Sequence, residues 1–169
     1  MDWRALALSA GLCIAMIVAE GALTGKDLHR WLVSLKRPRL FPPLWVWIMV
    51  AVLIYTIQGV IAYRLLLRPP SFVTGLALAL LIAAMSANVA YNVVLDRTRR
   101  PRFAYVGVVW FLPLIFGLQI VLHLTDKVAA ALGWIYFAWV VAYDVPIMRA
   151  LWKLNADPQP TKLPATGTD

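Results

Sequence analysis

Two carboxylic acids, Glu20 and Asp144, lie inside long apolar runs of the sequence. An aspartate at the centre of a membrane helix costs about 2.5–3.5 kcal/mol to insert, so such residues require an explanation. A protonated acid beside aromatic rings could protonate or isomerise an alkene, which is the chemistry of an intramembrane isomerase or cyclase. The alternative is structural: Arg149, Lys26 or an amide neutralises each acid, and the cost of burying charge favours this interpretation.

Amide and aromatic side chains recur at helical spacing within three of the apolar runs. Residues three, four and seven apart share one face of a helix, so these groups are collected on common faces. Inward-facing rings with a few amides are typical of a pocket for a large, flat or greasy molecule. The alternative is an ordinary aromatic core in which polar side chains link neighbouring helices. The pocket candidates are Tyr55, Gln58, Asn88, Tyr91, Asn92, Tyr136, Trp139 and Tyr143.

The composition indicates which kind of element carries these residues. Of the 169 residues, 62% are hydrophobic and 14% are charged, and the mean hydropathy is +0.76. Soluble domains average about 45–50% apolar and about 25% charged residues. The sequence therefore predicts a membrane protein, and its length suits one compact bundle.

Five apolar runs are long enough to cross about 30 Å of hydrocarbon as helices. Barrel strands would need only about ten residues each. The first run lacks a small-residue cleavage site, which favours a helix over a signal peptide. The predicted fold class is therefore all-α, an integral membrane bundle of five transmembrane helices. The predicted spans are residues 5–23, 44–66, 72–95, 103–124 and 128–152.

The basic residues predict how the bundle is oriented. Twelve of the 16 Lys and Arg residues belong to the first loop, the third loop and the C-terminal end, which five spans place on one side. By the positive-inside rule that side is cytoplasmic and the N-terminus is outside. The same asymmetry explains the net charge of +8 without any nucleic acid partner. Basic clusters at 36–39 and 97–102 could also hold anionic membrane lipids.

Other motifs carry little chemistry. The single cysteine, Cys13, excludes an internal disulfide. His29 and His123 lie in separate segments, which is weak evidence for a metal or haem, so we expect no metal and no cofactor. Residues 1–155 are predicted to form the membrane domain, and residues 156–169, rich in Pro and Thr, a disordered C-terminal tail.

The stretch from residue 30 to residue 63 resembles the TspO/MBR family, the tryptophan-rich sensory proteins and translocator proteins. That family has a basic loop of the pattern K-P-x-W-x-P-P-x-W, followed by Y-x-x-x-G in the second span. Two prolines together also stop one helix and favour the start of the next. The matching residues are Arg30, Trp31, Leu35, Pro38, Pro42, Pro43, Trp45, Val46, Tyr55 and Gly59. Asn88, Tyr91, Tyr136 and Trp139 resemble the motifs of the third and fifth spans.

The resemblance implies a function. Family members bind tetrapyrroles, sterols or benzodiazepine-type ligands in a cavity among five helices, which the first loop caps on the cytosolic side. We therefore expect this chain to bind, sense or transport a hydrophobic small molecule such as a tetrapyrrole, sterol or isoprenoid, with Pro42, Pro43 and Trp45 shaping the lid. Family members form dimers, which leaves a homodimer open. The rival interpretations are the enzyme using Asp144 and Glu20, and an assembly partner in a larger membrane complex.

The sequence departs from the family pattern at several positions that face the expected ligand. A family tryptophan of the second span falls on Ala51, the loop tryptophan on Leu40 and one of the third span on Val89. Loss of an indole removes a stacking surface for planar ligands. The fifth span has one extra residue between Trp139 and Trp152 relative to the family pattern.

Overall fold

The structure, a computed structural model, describes residues 1–25 and 27–156, and within those ranges every regular element is a helix. The predicted all-α fold class is confirmed. Lys26 and the predicted tail beyond residue 156 lie outside the described residues. The helices are α1 (Trp3–Leu23), α2 (Asp27–Ser34), α3 (Leu44–Leu66), α4 (Phe72–Thr98), α5 (Pro101–Thr125), α6 (Lys127–Trp139) and α7 (Val145–Leu154), with a π-helical turn at Val140–Asp144.

Five helical segments are long and apolar enough to cross a membrane. They are α1, α3, α4, α5 and the continuous segment Lys127–Leu154, which joins α6, the π-helical turn and α7. The five predicted spans match these segments to within three residues at every end. Hydrocarbon offers no hydrogen-bond partners, so a chain that crosses it must form helices, which satisfy their own backbone groups. The length of each apolar run therefore predicts the position of a span.

Local sequence signals set the helix ends. The side chain of Asp2 accepts hydrogen bonds from the backbone N–H groups of Arg4 and Ala5 at the start of α1. Pro43 is the extended residue before α3, as the Pro-Pro pair predicts. The α4–α5 connection is a tight turn in which Arg99 is left-handed, with φ of 47°, and Pro101 opens the next helix.

The spans close into a ring. α1 packs against α3 and α4, α4 against α5, α5 against α6 and α7, and α6 against α3. The half of the bundle nearer the second and fourth loops is packed solidly, because large side chains there are fully buried. Ile61, Leu65, Leu81, Met85 and Leu122 are each less than 2% exposed.

An ion-pair cluster ties this packed end together. Asp126 caps α6 by accepting from the N–H groups of Val128 and Ala129, and its carboxylate pairs with Arg64 at 2.9 Å and Arg68 at 2.5 Å. The hydrogen bond from Arg64 is the main reason that the pKa of Asp126 lies well below its usual range, with Ala129 N–H and Arg68 adding to it against the cost of burial. Asp126 therefore joins α3, its following loop and α6.

The first loop is more ordered than the sequence indicates, since it contains α2. Leu28, Trp31, Leu32 and Leu35 share one face of α2 and its end, and they pack against the core of the bundle. The loop is held at its base by Asn155, whose side chain accepts from Lys36 N–H at 3.0 Å and donates to Lys36 O at 2.9 Å. The loop is thereby fixed over the end of the bundle opposite Asp126.

The fifth span changes its winding where the sequence has its extra residue. At the π-helical turn the Val145 N–H donates to Val140 O, an i→i−5 bond that takes one residue more than an α-helical bond. Pro146 follows in the first turn of α7, and it lacks the N–H that an α-helical bond would need at that point. The extra residue is therefore accommodated without breaking the span.

Candidate cavity between the spans

A cavity of about 870 Å³ occupies the half of the bundle beneath the first loop. All five spans and the first loop contribute to its wall. Most wall side chains are apolar or aromatic, as is typical of small-molecule sites. The polar wall residues are Glu20, Thr24, Arg37, Tyr55, Asn88, Tyr91, Asn92, Tyr136 and Asp144, together with the indoles of Trp47, Trp110 and Trp139.

Glu20 is the centre of a polar link between three spans. Its Oε2 accepts from the Tyr55 hydroxyl at 2.5 Å, and its Oε1 accepts from Nδ2 of Asn92 at 2.7 Å. The Asn88 side chain lies next to the same Tyr55 hydroxyl. Each carboxylate oxygen thus has a donor from a different helix, which is the amide-type neutralisation that the sequence suggests for this acid.

Asp144 is in a different situation. It lies on the cavity wall at the end of the π-helical turn. Its Oδ1 is buried and has no hydrogen-bond partner among the described residues. The proposed neutralisation by Arg149 is not observed, because the described residues include no ion pair to Asp144. Of the two acids, only Asp144 has a buried oxygen that is free to accept a hydrogen bond from a ligand or from water.

An aromatic cluster joins the first loop to the fifth span. The Tyr143 hydroxyl donates to Leu40 O at 2.8 Å, and its ring lies 6.4 Å from that of Trp47 and 4.5 Å from that of Trp139. Phe41 in the loop packs against Trp47 at 6.1 Å. These contacts make the loop, the start of α3 and the π-helical turn one connected lid.

The structure brings most of the predicted residues to one wall, with three exceptions. Tyr55, Asn88, Tyr91, Asn92, Tyr136, Trp139, Pro42, Pro43, Glu20 and Asp144 all line the cavity. Gln58 is 2% exposed and lies one turn deeper, in the packed half. Trp45 is 66% exposed on the outside of α3, and Tyr143 lies behind the wall as the lid anchor.

The sequence analysis missed part of the wall. Trp47 lines the cavity where Trp45 does not, and its spacing of four from Ala51 and eight from Tyr55 would have indicated the shared face. The fourth span contributes Gly107, Phe111 and Leu114, again at helical spacing. Gly107 is needed there because a Cβ would lie 2.5 Å from the Tyr91 ring.

Polar residues of the fourth span serve packing away from the cavity. Gln119 is 2% exposed and donates to Ala130 O at 2.8 Å. His123 accepts from the Trp134 indole N–H at 2.8 Å. Within residues 1–25 and 27–156 there is no group of three His, Cys, Asp or Glu side chains that could hold a metal ion.

Two comparisons with known proteins bear on the identity of this bundle. The family model of the TspO/MBR family matches residues 9–148, a range that includes parts of all five spans and the whole cavity wall. A comparison with curated proteins gives no match. With most of its length matched and five spans in place, this multi-pass integral membrane protein belongs to the TspO/MBR family.

Proposed function

We propose that this TspO/MBR protein binds a hydrophobic small molecule in the cavity beneath the first loop, and that binding serves sensing or transport. The observation that carries the proposal is the cavity itself: about 870 Å³, walled mainly by apolar and aromatic side chains of all five spans. A solidly packed bundle would argue for a structural role. Tetrapyrroles, sterols and isoprenoids are the ligand classes that the family suggests.

The proposed orientation places the lid in the cytoplasm and the N-terminus outside. The support is the distribution of basic residues, twelve of 16 on the lid side. A ligand would then enter or leave on the cytoplasmic side or from the lipid between the spans. A homodimer remains a prediction from the family alone.

A cavity-filling variant tests the binding proposal. Ala87 lies on the cavity wall in α4, whereas Ala83, one turn earlier, is exposed and off the wall. Small molecules that co-purify with the protein in mild detergent would be measured by mass spectrometry. The Ala87→Trp variant should lose them, and the Ala83→Trp variant should retain them. Equal ligand content in both variants would contradict binding in this cavity.

An intramembrane isomerase or cyclase is the second candidate, and Asp144 is the observation that favours it. An acid with an unpartnered oxygen beside aromatic rings could donate a proton to an alkene. Glu20 is a weaker candidate for acid or base because both of its oxygens accept hydrogen bonds. In Asp144→Asn, turnover of a polyene substrate should collapse if the protein is an enzyme, while a binding protein should keep most of its affinity.

A further inference from the structure

Four buried polar atoms of the cavity wall have no hydrogen-bond partner among the described residues. They are Oδ1 of Asp144, the indole nitrogens of Trp47 and Trp139, and Oγ1 of Thr24. An unpaired buried polar group destabilises a protein, and native proteins leave few of them. The carboxyl group can accept a hydrogen bond, whereas each indole N–H can only donate one.

Trp47, Trp139 and Asp144 are connected through the aromatic cluster around Tyr143. The Tyr143 ring centroid is 6.4 Å from that of Trp47 and 4.5 Å from that of Trp139. The Trp139 indole interacts with the Asp144 carboxyl group, but without the geometry of a full hydrogen bond to its Oδ1. We name Trp47, Trp139 and Asp144 the Asp144 corner.

The surroundings of the Asp144 corner are apolar and nearly free of positive charge. Tyr91, Tyr136 and Tyr143 interact electrostatically with Asp144. Among the described wall residues, Arg37 is the one Lys or Arg, and two acids share the same wall. A ligand carboxylate would therefore enter a cavity whose fixed groups are more acidic than basic.

We propose that the Asp144 corner binds a neutral hydroxyl group of an otherwise apolar ligand. This inference rests on the proposed function and narrows its ligand class to an alcohol. A hydroxyl donates one hydrogen bond and accepts two, which matches one carboxyl oxygen and two indole N–H groups. An ether offers acceptors alone, a hydrocarbon offers neither, and a carboxylic acid brings a like charge.

Water is the competing occupant of the Asp144 corner. A cavity of this size has room for water, which also donates and accepts. If water fills the corner, the ligand need only be apolar, and an alcohol would have no advantage over its ether. The preference for alcohol over ether therefore separates the two occupants.

Three matched isoprenoids provide the test: geranylgeraniol, its methyl ether and geranylgeranoic acid. Each is titrated into the detergent-solubilised full chain and binding is followed by native mass spectrometry. We expect the alcohol to bind at least about tenfold more tightly than the ether, the ratio that one hydrogen bond to a charged or buried group provides. We expect the acid to bind most weakly.

Point variants test whether that preference arises at the Asp144 corner. Trp139→Phe removes one N–H, from which the oxygen of either the alcohol or the ether can accept, so both affinities should fall several-fold while the alcohol-to-ether ratio stays near its wild-type value. Asp144→Leu should remove the preference, and Asp144→Asn should retain it because an amide both donates and accepts. Trp45→Phe is the matched control, since Trp45 is exposed and off the wall.

The outcomes are distinct. Equal affinity for alcohol and ether, or tightest binding of the acid, overturns the hydroxyl site but leaves cavity binding intact. A preference that survives Asp144→Leu also overturns it. Where Asp144→Leu fails to fold, unchanged affinities of both the alcohol and the ether in Trp139→Phe overturn it. If none of the three probes binds the wild-type protein, the hydroxyl site is overturned, while the proposed function is decided separately by the ligand content of Ala87→Trp and Ala83→Trp.

Discussion

The Tyr55 hydroxyl of α3 donates a 2.5 Å hydrogen bond to Glu20 of α1. This bond matters because α1 is the least buried of the five spans: 6% of its most apolar stretch is buried, against 28% for each of the others. In hydrocarbon, helices gain little from apolar contact with one another, so packing and interhelical hydrogen bonds hold them together. Glu20, with Tyr55 and Asn92, thus attaches the first span to the wall of the cavity.

Removal of this attachment should loosen the bundle. Glu20→Ala leaves the Tyr55 hydroxyl and the Asn92 amide without their acceptor, and we expect a loss of about 1–3 kcal/mol in the free energy of unfolding. Thermal unfolding in detergent would measure it. Thr56→Ala is the control, because Thr56 is exposed and bonds only to Val52 O of its own helix. Equal stability of the two variants would contradict the role of Glu20.

Acid should weaken the packed end of the bundle in a way that depends on Asp126. Because its folded-state pKa is depressed, the carboxylate stabilises the fold fully above its unfolded pKa, about 3.9, and loses that contribution as pH falls towards the folded value. Asp126→Asn should therefore be less stable than wild type at pH 7, by about 1–3 kcal/mol. The difference should shrink below about pH 4, and a constant difference would argue against the ion pairs.

The lid should open more readily without the Tyr143 hydroxyl. Tyr143→Phe keeps the ring contacts with Trp47 and Trp139 but removes the bond to Leu40 O. One hydrogen bond is worth about 0.5–1.5 kcal/mol, so amide hydrogen exchange in residues 36–41 should quicken by about two- to tenfold. Tyr63→Phe, on the opposite half of α3, should leave that exchange unchanged. Unaltered exchange in Tyr143→Phe would show that the ring contacts alone hold the lid.

A methyl group at Gly107 should reshape the cavity. The added Cβ would lie 2.5 Å from the Tyr91 ring, and the hydroxyl of Tyr91 donates a hydrogen bond to Ala104 O. Gly107→Ala should cost about 1–3 kcal/mol through overpacking. Gly117→Ala in the same helix meets nothing within 4 Å and should be neutral or stabilising by up to about 1 kcal/mol. Similar unfolding temperatures for the two variants would contradict the close approach of Tyr91.

The sequence predicts the spans well because hydrocarbon imposes length and apolarity on each of them. The wall of the cavity is predicted less evenly, since helical spacing identifies a face but not which neighbour covers it. Gln58 shares a stripe with Tyr55, yet it lies one turn nearer the solid core. Trp45 and Trp47 are two residues apart on α3. The inward indole is Trp47, which shares a face with Ala51 and Tyr55 and packs against Phe41 of the first loop.

The position of Asp144 shows another limit. The extra residue of the fifth span can be counted in the sequence, but its accommodation as a π-helical turn depends on the hydrogen bonds around Val140 and Pro146. The helix in the first loop was also not evident, because its eight residues are too few to be stable without the core beneath them.

The π-helical turn has a consequence for how such bundles diverge. One inserted residue would rotate everything that follows by about 100° around the helix axis if the span stayed α-helical, but the π-helical turn takes up the extra residue locally. Its neighbours in the bundle need no new sequence, since the straight helices before and after the turn keep their own partners. Insertion of a single codon can in this way place a new side chain on the wall of an existing cavity. Asp144, at the end of the π-helical turn, is a side chain of this kind.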